Sequence, residues 1–528
     1  MTVYLKPNVQ VDPLFNGWFA WNLLIPPVTA AFNTRDRHLK SMTSFVNAPA
    51  MHAAALKNPA MKGGAFIDLE ARHVPEVRKL IEQTQTAGGD LLVLAKALTD
   101  LGKLLQEKAK GQPMESLYAL VPEPLQGYVE LVYDMNHAPS FRVLESLLYR
   151  GKFYAEHLQS VSLSLTTDDR SRPFMLSTPH LASEGGVELD LRFRDRRLDA
   201  LFRMKREPRP FADIAAELCD VVADVESLRQ FFTTTPPAPA PSYDGPGMRV
   251  RYFGHASMLI EANGVSVLTD PILSYEYPTT LERFSMADLP EKIDYVLLSH
   301  SHHDHVHFET LLQLRHMIGQ IVVPRNADGL PQDPSLYLAL KHTGFENLLE
   351  VRDMDEIVFP GGRIHCLPFL GEHHDLLVQS KSGYKVDMQG KSVLCIADSS
   401  NIDPQIARNV RQHVGRADLL FTGMECEGAP ASWIYGPLFT KPLTREVDQS
   451  RRARGSYAHE ALSLAETFGV TGAYTYAMGQ EPWLSHILDN ELDDESISMQ
   501  QVGKFLGECK ARGIDAAHLF AKREFILA

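Results

Sequence analysis

Cysteine is scarce in this chain of 528 residues: there are five, at 219, 366, 395, 426 and 509, scattered, odd in number and without a CxxC pair. That pattern excludes a disulfide framework and a thiolate zinc knuckle, and it fits a reducing compartment. No run is long and apolar enough to cross a membrane, and no basic segment followed by an apolar one marks a signal peptide, so a cytoplasmic protein is expected. The most apolar early stretch, Gly17–Phe32, is broken by Asn22, Pro26 and Pro27. Its aromatic residues Trp18, Phe19 and Trp21 are expected to serve a core or a contact between subunits. Net positive charge is also missing. At −14 overall, the chain lacks the basic character that binding to nucleic acid demands. There is no internal repeat.

The length exceeds what one ordinary core supports, so more than one domain is expected. The clearest boundary is Thr233–Gly247, in which five prolines forbid a helix and nothing asks to be buried. It reads as a stiff, exposed linker. The division is then 1–232, 233–247 and 248–528. Before the linker, Val74–Thr86, Asp90–Lys110 and Phe211–Phe232 carry apolar residues at helical spacing, and Gly186–Leu191 alternates like a strand. A helix-rich, mixed α+β N-terminal domain follows from this. After the linker come many short β runs: Met248–Phe253, Ser257–Glu261, Val265–Thr269, Tyr295–Leu298, Ile321–Val323, Ile364–Phe369, Val393–Ala397, Leu419–Phe421 and Ala473–Ala477. Helical stretches lie between them, including Asp403–His413 and Glu460–Phe468. Ala262-Asn-Gly264 is a hairpin signal. Two packed sheets covered by helices are expected, an α/β architecture.

The most informative stretch follows the apolar run Asp294–Ser299. Residues 300–305 read His-Ser-His-His-Asp-His. His300, His302, Asp304 and His305 place three imidazoles and a carboxylate just past a strand end, where they can hold metal. Three further segments put acidic or imidazole groups after strands: Gly371-Glu-His-His-Asp375, Asp398 and Asp270-Pro271. Strand ends on one rim of a sandwich can bring such groups together from distant sequence.

In order and spacing, Gly254-His-Ala-Ser257, Leu268-Thr-Asp-Pro271, the hexad at 300–305, Gly371-Glu-His-His-Asp375 and Ala397-Asp398 resemble the metallo-β-lactamase superfamily. The resemblance implies an αββα sandwich over 248–528. A narrower one extends nearly end to end, through Gly423-Met-Glu-Cys-Glu-Gly-Ala-Pro430, Trp433-Ile-Tyr-Gly436, Asp448-Gln-Ser-Arg-Arg452 and Tyr476-Ala-Met-Gly-Gln-Glu-Pro-Trp483. On these segments the chain resembles the diiron β-hydroxylases of chloramphenicol and non-ribosomal peptide biosynthesis, which hydroxylate an amino acid tethered to a carrier protein.

That resemblance implies two iron ions, oxo- or hydroxo-bridged, with dioxygen and an external electron donor as co-substrates. His300, His302 and Glu372 would bind one iron, Asp304 and His305 the other, and Asp398 would bridge them. Glu372 and Asp398 are the catalytic candidates, since Glu372 can shift between one-oxygen and two-oxygen binding. It implies as partners an aminoacyl-loaded carrier domain, an electron donor protein and a second copy of the chain. The alternative is a dizinc hydrolase of a thioester, lactone or phosphodiester, which would take His373 in place of Glu372. Anionic oxygen donors suit oxygen activation, and imidazole-rich sites suit a redox-inert Lewis acid. A non-catalytic carrier-binding scaffold is the third reading, and the intact ligand set weighs against it.

His303 and His307 fall outside the ligand pattern. His486 can be read as a late ligand or as structural. His255 and Asp270 read as groups that orient ligands, with a turn-starting role the alternative for Asp270. Trp433, Tyr435 and Trp483 are candidates for lining a pocket, and Glu425 and Glu427 for relaying protons or steering the substrate amine. Residues 192–209 hold eight Arg/Lys against three acids, and Arg451, Arg452 and Arg454 form a second cluster. Either can steer an acidic carrier domain.

Overall fold

A computed structural model describes residues 2–58, 61, 64–183, 185–488 and 492–528. Two seven-stranded sheets pack face to face in the C-terminal half. The first runs, edge to edge, Leu348–Val351, Ile318–Pro324, Ile293–Leu297, Val265–Thr269, Met258–Ala262, Met248–Tyr252 and Arg523–Leu527. The second runs Glu356–Phe359, Gly362–Leu367, Gly383–Met388, Lys391–Cys395, Leu419–Gly423, Gly472–Tyr476 and Asp515–His518. Phe308–Leu314 and Leu336–His342 cover the first sheet; Pro404–Val414, Ala458–Phe468 and Ile497–Ala511 cover the second. This is the αββα sandwich of the metallo-β-lactamase fold, with an inner core built around Tyr252, Met258, Val386 and Phe421.

The sheets hold the site because of how their strands run. Val265–Thr269, Ile293–Leu297 and Ile318–Pro324 are parallel neighbours, as are Lys391–Cys395, Leu419–Gly423 and Gly472–Tyr476. Their carboxyl ends therefore open on a shared rim. The antiparallel pair Met258–Ala262 and Val265–Thr269 turns at Asn263 and Gly264, with φ of 51° and 74°. Both central residues are left-handed, as a tight hairpin between right-twisted strands requires.

The N-terminal part carries a four-stranded sheet, a three-stranded sheet, a hairpin and the helices Pro27–Phe32, Lys40–Asn47, Val74–Ala87 and Gly89–Lys108. A π-helix, Asn33–Leu39, joins the first two of these helices, and helical periodicity gives no warning of it. The single helix expected over Phe211–Phe232 divides into Phe211–Leu218 and a 3-10 segment, Val225–Phe231. The β-branched pair Val221-Val222 interrupts it, and Asp224 then caps the second piece by accepting from the Glu226 N–H. Trp18, Phe19 and Trp21 are all buried in the core.

The N-terminal part and the outer face of the first sheet share one hydrophobic cluster. Helix Phe308–Leu314 is buried along its whole length between them. The histidine-rich turn that precedes it is therefore fixed at both ends, by a central strand before it and a clamped helix after it. Among the described residues no helix is long and apolar enough to cross a membrane.

Candidate metal centre

The hexad leaves strand Ile293–Leu297 and closes on itself. The His305 and Val306 N–H groups both donate to the His302 carbonyl, at 3.2 and 2.9 Å. The turn brings His300, His302 and His305 onto one another, with ring centroids 4.7 Å apart for the first pair and 4.0 Å for His300 and His305. The acidic partners arrive on strained loops. Glu372, His374 and Asp375 have φ of 63°, 56° and 57°, and Ala397, just before Asp398, has 45°. Four non-glycine residues in the left-handed region beside one site cost of order 1–3 kcal/mol each, and such strain persists where the surroundings fix it.

Three groups of side chains result, each with candidate ligand atoms within 4.8 Å of one another: His300, His302 and Glu372; His300, His305 and Asp398; and His255, Asp304 and His305. Glu372 Oε1 lies 3.1 Å from His302 Nδ1, and its Oε2 accepts the Arg454 N–H at 3.0 Å. Asp398 Oδ2 lies 2.9 Å from His305 Nε2 and 3.7 Å from His300 Nε2, between the other two groups. Asp304 Oδ2 is 3.6 Å from His305 Nε2 and 3.2 Å from His255 Nε2. The structure thus brings together all six residues that the sequence nominates and adds His255 at their edge. His373 belongs to none of these groups, although its ring is 4.5 Å from that of His302.

Asp270 sets the direction of two imidazoles. Its Oδ2 sits 2.9 Å from His305 Nδ1 and accepts the Ser299 hydroxyl, and that hydroxyl is 3.0 Å from His300 Nδ1. With the Nδ1 atoms engaged, the Nε2 atoms of His300 and His305 face inward. Both are buried without a hydrogen-bond partner, as are His302 Nε2 and Asp398 Oδ1. Buried imidazole and carboxylate atoms left without hydrogen bonds in one small region are costly unless a cation binds them. The residues therefore fit a metal pair.

The electrostatics agree. Burial, reinforced by neighbouring His305, holds His300 well below the usual imidazole range. Burial also pushes Glu372 well above the carboxylate range, with Asp398 and Asp304 adding repulsion. At His305 burial acts downward, but Asp398, Asp304 and Asp270 outweigh it and raise the ring well above its usual value. Carboxylates crowded this closely compete for protons in the absence of a multivalent cation.

The remaining candidates divide. His303 is structural: its Nε2 is 2.9 Å from the Ile487 carbonyl, and its ring meets Trp21 edge-on. His307 and His486 form a separate group around Glu309. There Arg172 Nη1 donates to Glu309 at 2.6 Å, so a guanidinium already supplies the positive charge. Tyr435 is buried against the site, 6.4 Å from the His302 ring and 5.8 Å from that of His374. Trp433, on the other side of the same short helix, lines a cleft, while Trp483 packs against Gly254 and a cavity beside His486. Glu425 offers its carbonyl to the Gly455 N–H, and Glu427 is exposed.

Comparison with known proteins supplies a lineage. Residues 4–236 match the family described as diiron non-heme beta-hydroxylase N-terminal domain, and residues 249–422 match the beta-lactamase superfamily domain. The chain is 35% identical over 536 residues to the 4-amino-L-phenylalanyl-[CmlP-peptidyl-carrier-protein] 3-hydroxylase of Streptomyces venezuelae, covering 99% of each. The crystal structure of CmlA, a diiron beta-hydroxylase from that organism, superposes with a TM-score of 0.93 at 33% identity over 100% of both chains. A metal-dependent hydrolase of Bacillus cereus is 44% identical over 59 residues only, 11% of this chain and 24% of its own. The full-length match decides the assignment: the chain belongs to the diiron non-heme β-hydroxylase family.

Proposed function

We propose that this protein is an O2-dependent diiron monooxygenase that hydroxylates the β-carbon of an aminoacyl group held as a thioester on a carrier domain. The observation that carries the reading is the pairing of Glu372, not His373, with His300 and His302. Each of the three groups holds one carboxylate, Glu372, Asp398 or Asp304, beside two imidazoles, and the Asp398 group shares His300 with the first and His305 with the third. A donor set rich in anionic oxygen stabilises oxidised iron, whereas zinc hydrolysis asks only for a Lewis acid.

In this reading His300, His302 and Glu372 hold one metal, Asp304 and His305 hold the second, and Asp398 lies between them. Bound iron supplies the oxygen-activating redox chemistry that an aliphatic C–H bond requires. The chain's own residues do the rest. Asp270 and Ser299 keep the imidazole Nε2 atoms turned inward. The Arg454 N–H holds Glu372 Oε2 and leaves Oε1 toward His302, so the carboxylate has one fixed oxygen and one that can move. Tyr435 and the buried hexad exclude water. The balance is one O2, two electrons and two protons from an external donor; one oxygen atom enters the β C–H bond and the other leaves as water. The relative's named substrate, a 4-amino-L-phenylalanyl carrier protein, supports tethered delivery. A tether raises the effective concentration of the β-carbon at the site.

The test is metal analysis with turnover. Iron at about two per chain together with hydroxylation of an aminoacyl carrier is expected. Zinc with thioester hydrolysis would overturn the reading.

A further inference from the structure

A cleft of about 600 Å3 lies on the far side of helix Ala431–Tyr435 from the metal ligands. Its walls include Phe32, Leu98, Trp433 and Phe439, and its cations are Arg35, Arg37, Lys40 and Lys103 against the single acid Asp36. On a chain of net charge −14, four cations against one carboxylate invert the local sign. Asp36 is shared between Arg35, at 2.6 Å, and Lys40, at 2.8 Å, while Lys103 is exposed and has no ion pair among the described residues.

The backbone here is unusual. Arg35, Asp36 and Arg37 lie on the π-helix Asn33–Leu39. A π segment is rare and is found frequently at functional sites. It lets buried Arg37 reach across to the carbonyls of Trp433, at 2.5 Å, and Ile434, at 3.1 Å. The same helix turns Trp433 to the cleft and Tyr435 to His302 and His374. One short element therefore separates a cationic, apolar-walled cleft from the candidate ligands.

The basic run at 192–209, by contrast, is already engaged within the molecule. Arg194 pairs with Glu156, Arg196 with Asp199 and Glu346, Arg197 with Asp195 and Asp220, and Arg209 with Glu217. Arg206 donates to the carbonyls of Met286, Leu289 and Pro290. Burial takes Lys205 down to about 7, so much of its charge is lost near neutrality. Little charge is left there to recruit a partner.

We infer that the cleft bounded by Lys40, Lys103 and helix Ala431–Tyr435 receives the phosphopantetheine arm of the carrier domain, with Lys40, Lys103 and Arg35 facing its phosphodiester. The inference rests on the function proposed above and specifies where the substrate enters. An anionic phosphodiester suits exposed lysines at the mouth. The amide-bearing arm suits walls that mix aromatic and polar groups. The acyl end then has to pass helix Ala431–Tyr435 to reach the ligands, where the Tyr435 ring lies 6.4 Å from that of His302.

The test compares wild type, Lys40→Glu/Lys103→Glu, Lys40→Arg/Lys103→Arg and Arg194→Glu. The substrates are carrier domains loaded with 4-amino-L-phenylalanine, phenylalanine or leucine. The Glu pair raises KM for the loaded carrier by roughly ten-fold or more, with a much smaller change in kcat and unchanged iron content. The Arg pair restores KM, and Arg194→Glu leaves it near the wild-type value. Unchanged KM in the Glu pair, or an equal rise in Arg194→Glu, overturns the inference. If wild type hydroxylates no loaded carrier, the proposed function itself fails and takes the inference with it, an outcome visible before any variant is compared. Gly102→Cys gives a reading independent of turnover, because the nearest atom to a side chain there is Thr440 Cγ2 at 3.9 Å. Carrier bearing the arm slows alkylation of that thiol and carrier lacking the arm does not; equal rates contradict the assignment.

Discussion

Asp270 holds two imidazoles through one carboxylate: His305 directly and His300 by way of the Ser299 hydroxyl. Asp270→Asn keeps the size and removes the charge, and its amide NH2 cannot accept the His305 N–H. Iron affinity is expected to fall about 10–100-fold, read by competition with a coloured chelator; unchanged affinity would mean that Asp270 is only a turn residue before Pro271. Glu372→His tests the donor set itself. It turns the first group into an all-imidazole one, and the protein is expected to retain metal while losing oxygen insertion, measured as metal content beside product mass. A fully active Glu372→His variant would remove the argument for oxygen donors.

The rim of the sandwich depends on elements that can approach very closely. Strand Leu419–Gly423 ends against Asp398, and a Cβ on Gly423 would lie 2.5 Å from Asp398 Oδ1. Gly423→Ala is expected to displace that carboxylate. It should weaken iron binding at least about ten-fold and lower unfolding stability by about 1–3 kcal/mol, measured by metal titration and urea unfolding; full iron occupancy would show that Asp398 has room to spare. None of this is legible from periodicity, which has no term for the space beside a glycine. What was legible are the strands and the residues just past them. Ile293–Leu297 before the hexad, Val265–Thr269 before Asp270 and Lys391–Cys395 before Asp398 all lie within two or three residues of where alternation and apolar runs put them. The hexad could be read because its candidate ligands are adjacent in sequence. The sharing of His300 and His305 between groups could not, because it depends on loops with positive φ at Glu372 and Ala397. The π-helix and the split of Phe211–Phe232 were hidden for the same reason: tertiary contacts and caps, not spacing, decide them.

At the scale of the molecule, a buried network ties the N-terminal strands to the catalytic sandwich. Arg172 pairs with Asp12, at 3.0 Å, and with Glu309, at 2.6 Å, and Tyr275 donates to Glu309 at 2.6 Å. Burial alone would raise both acids. At Glu309 the Arg172 guanidinium, the His486 hydrogen bond and His307 together outweigh it, and at Asp12 the His180 hydrogen bond and Arg172 together do, so both carboxyls sit below their ordinary range. Stability from such groups is present above the unfolded carboxylate pKa of about 4 and is lost as pH falls toward the folded values. Arg172→Met leaves two buried charges unpaired and is expected to cost about 3–5 kcal/mol at neutral pH. The gap to wild type should narrow as pH falls below about 4, where the unfolded chain takes up protons that the paired native carboxylates do not. Urea unfolding of both chelator-treated proteins across pH reads this, and a gap independent of pH would refute the ionic account. The network also explains why the proline-rich linker does not divide the packing: one core cluster runs from the N-terminal strands to helix Phe308–Leu314. In the function proposed above, the whole molecule would present a carboxylate-rich site for a metal pair to a tethered substrate. Its most direct test is mass spectrometry of an aminoacyl carrier after incubation with the iron-loaded, reduced protein under 18O2. The account predicts a gain of one 18O atom with the thioester intact; release of the amino acid to leave bare carrier, with no isotope gained, would contradict it.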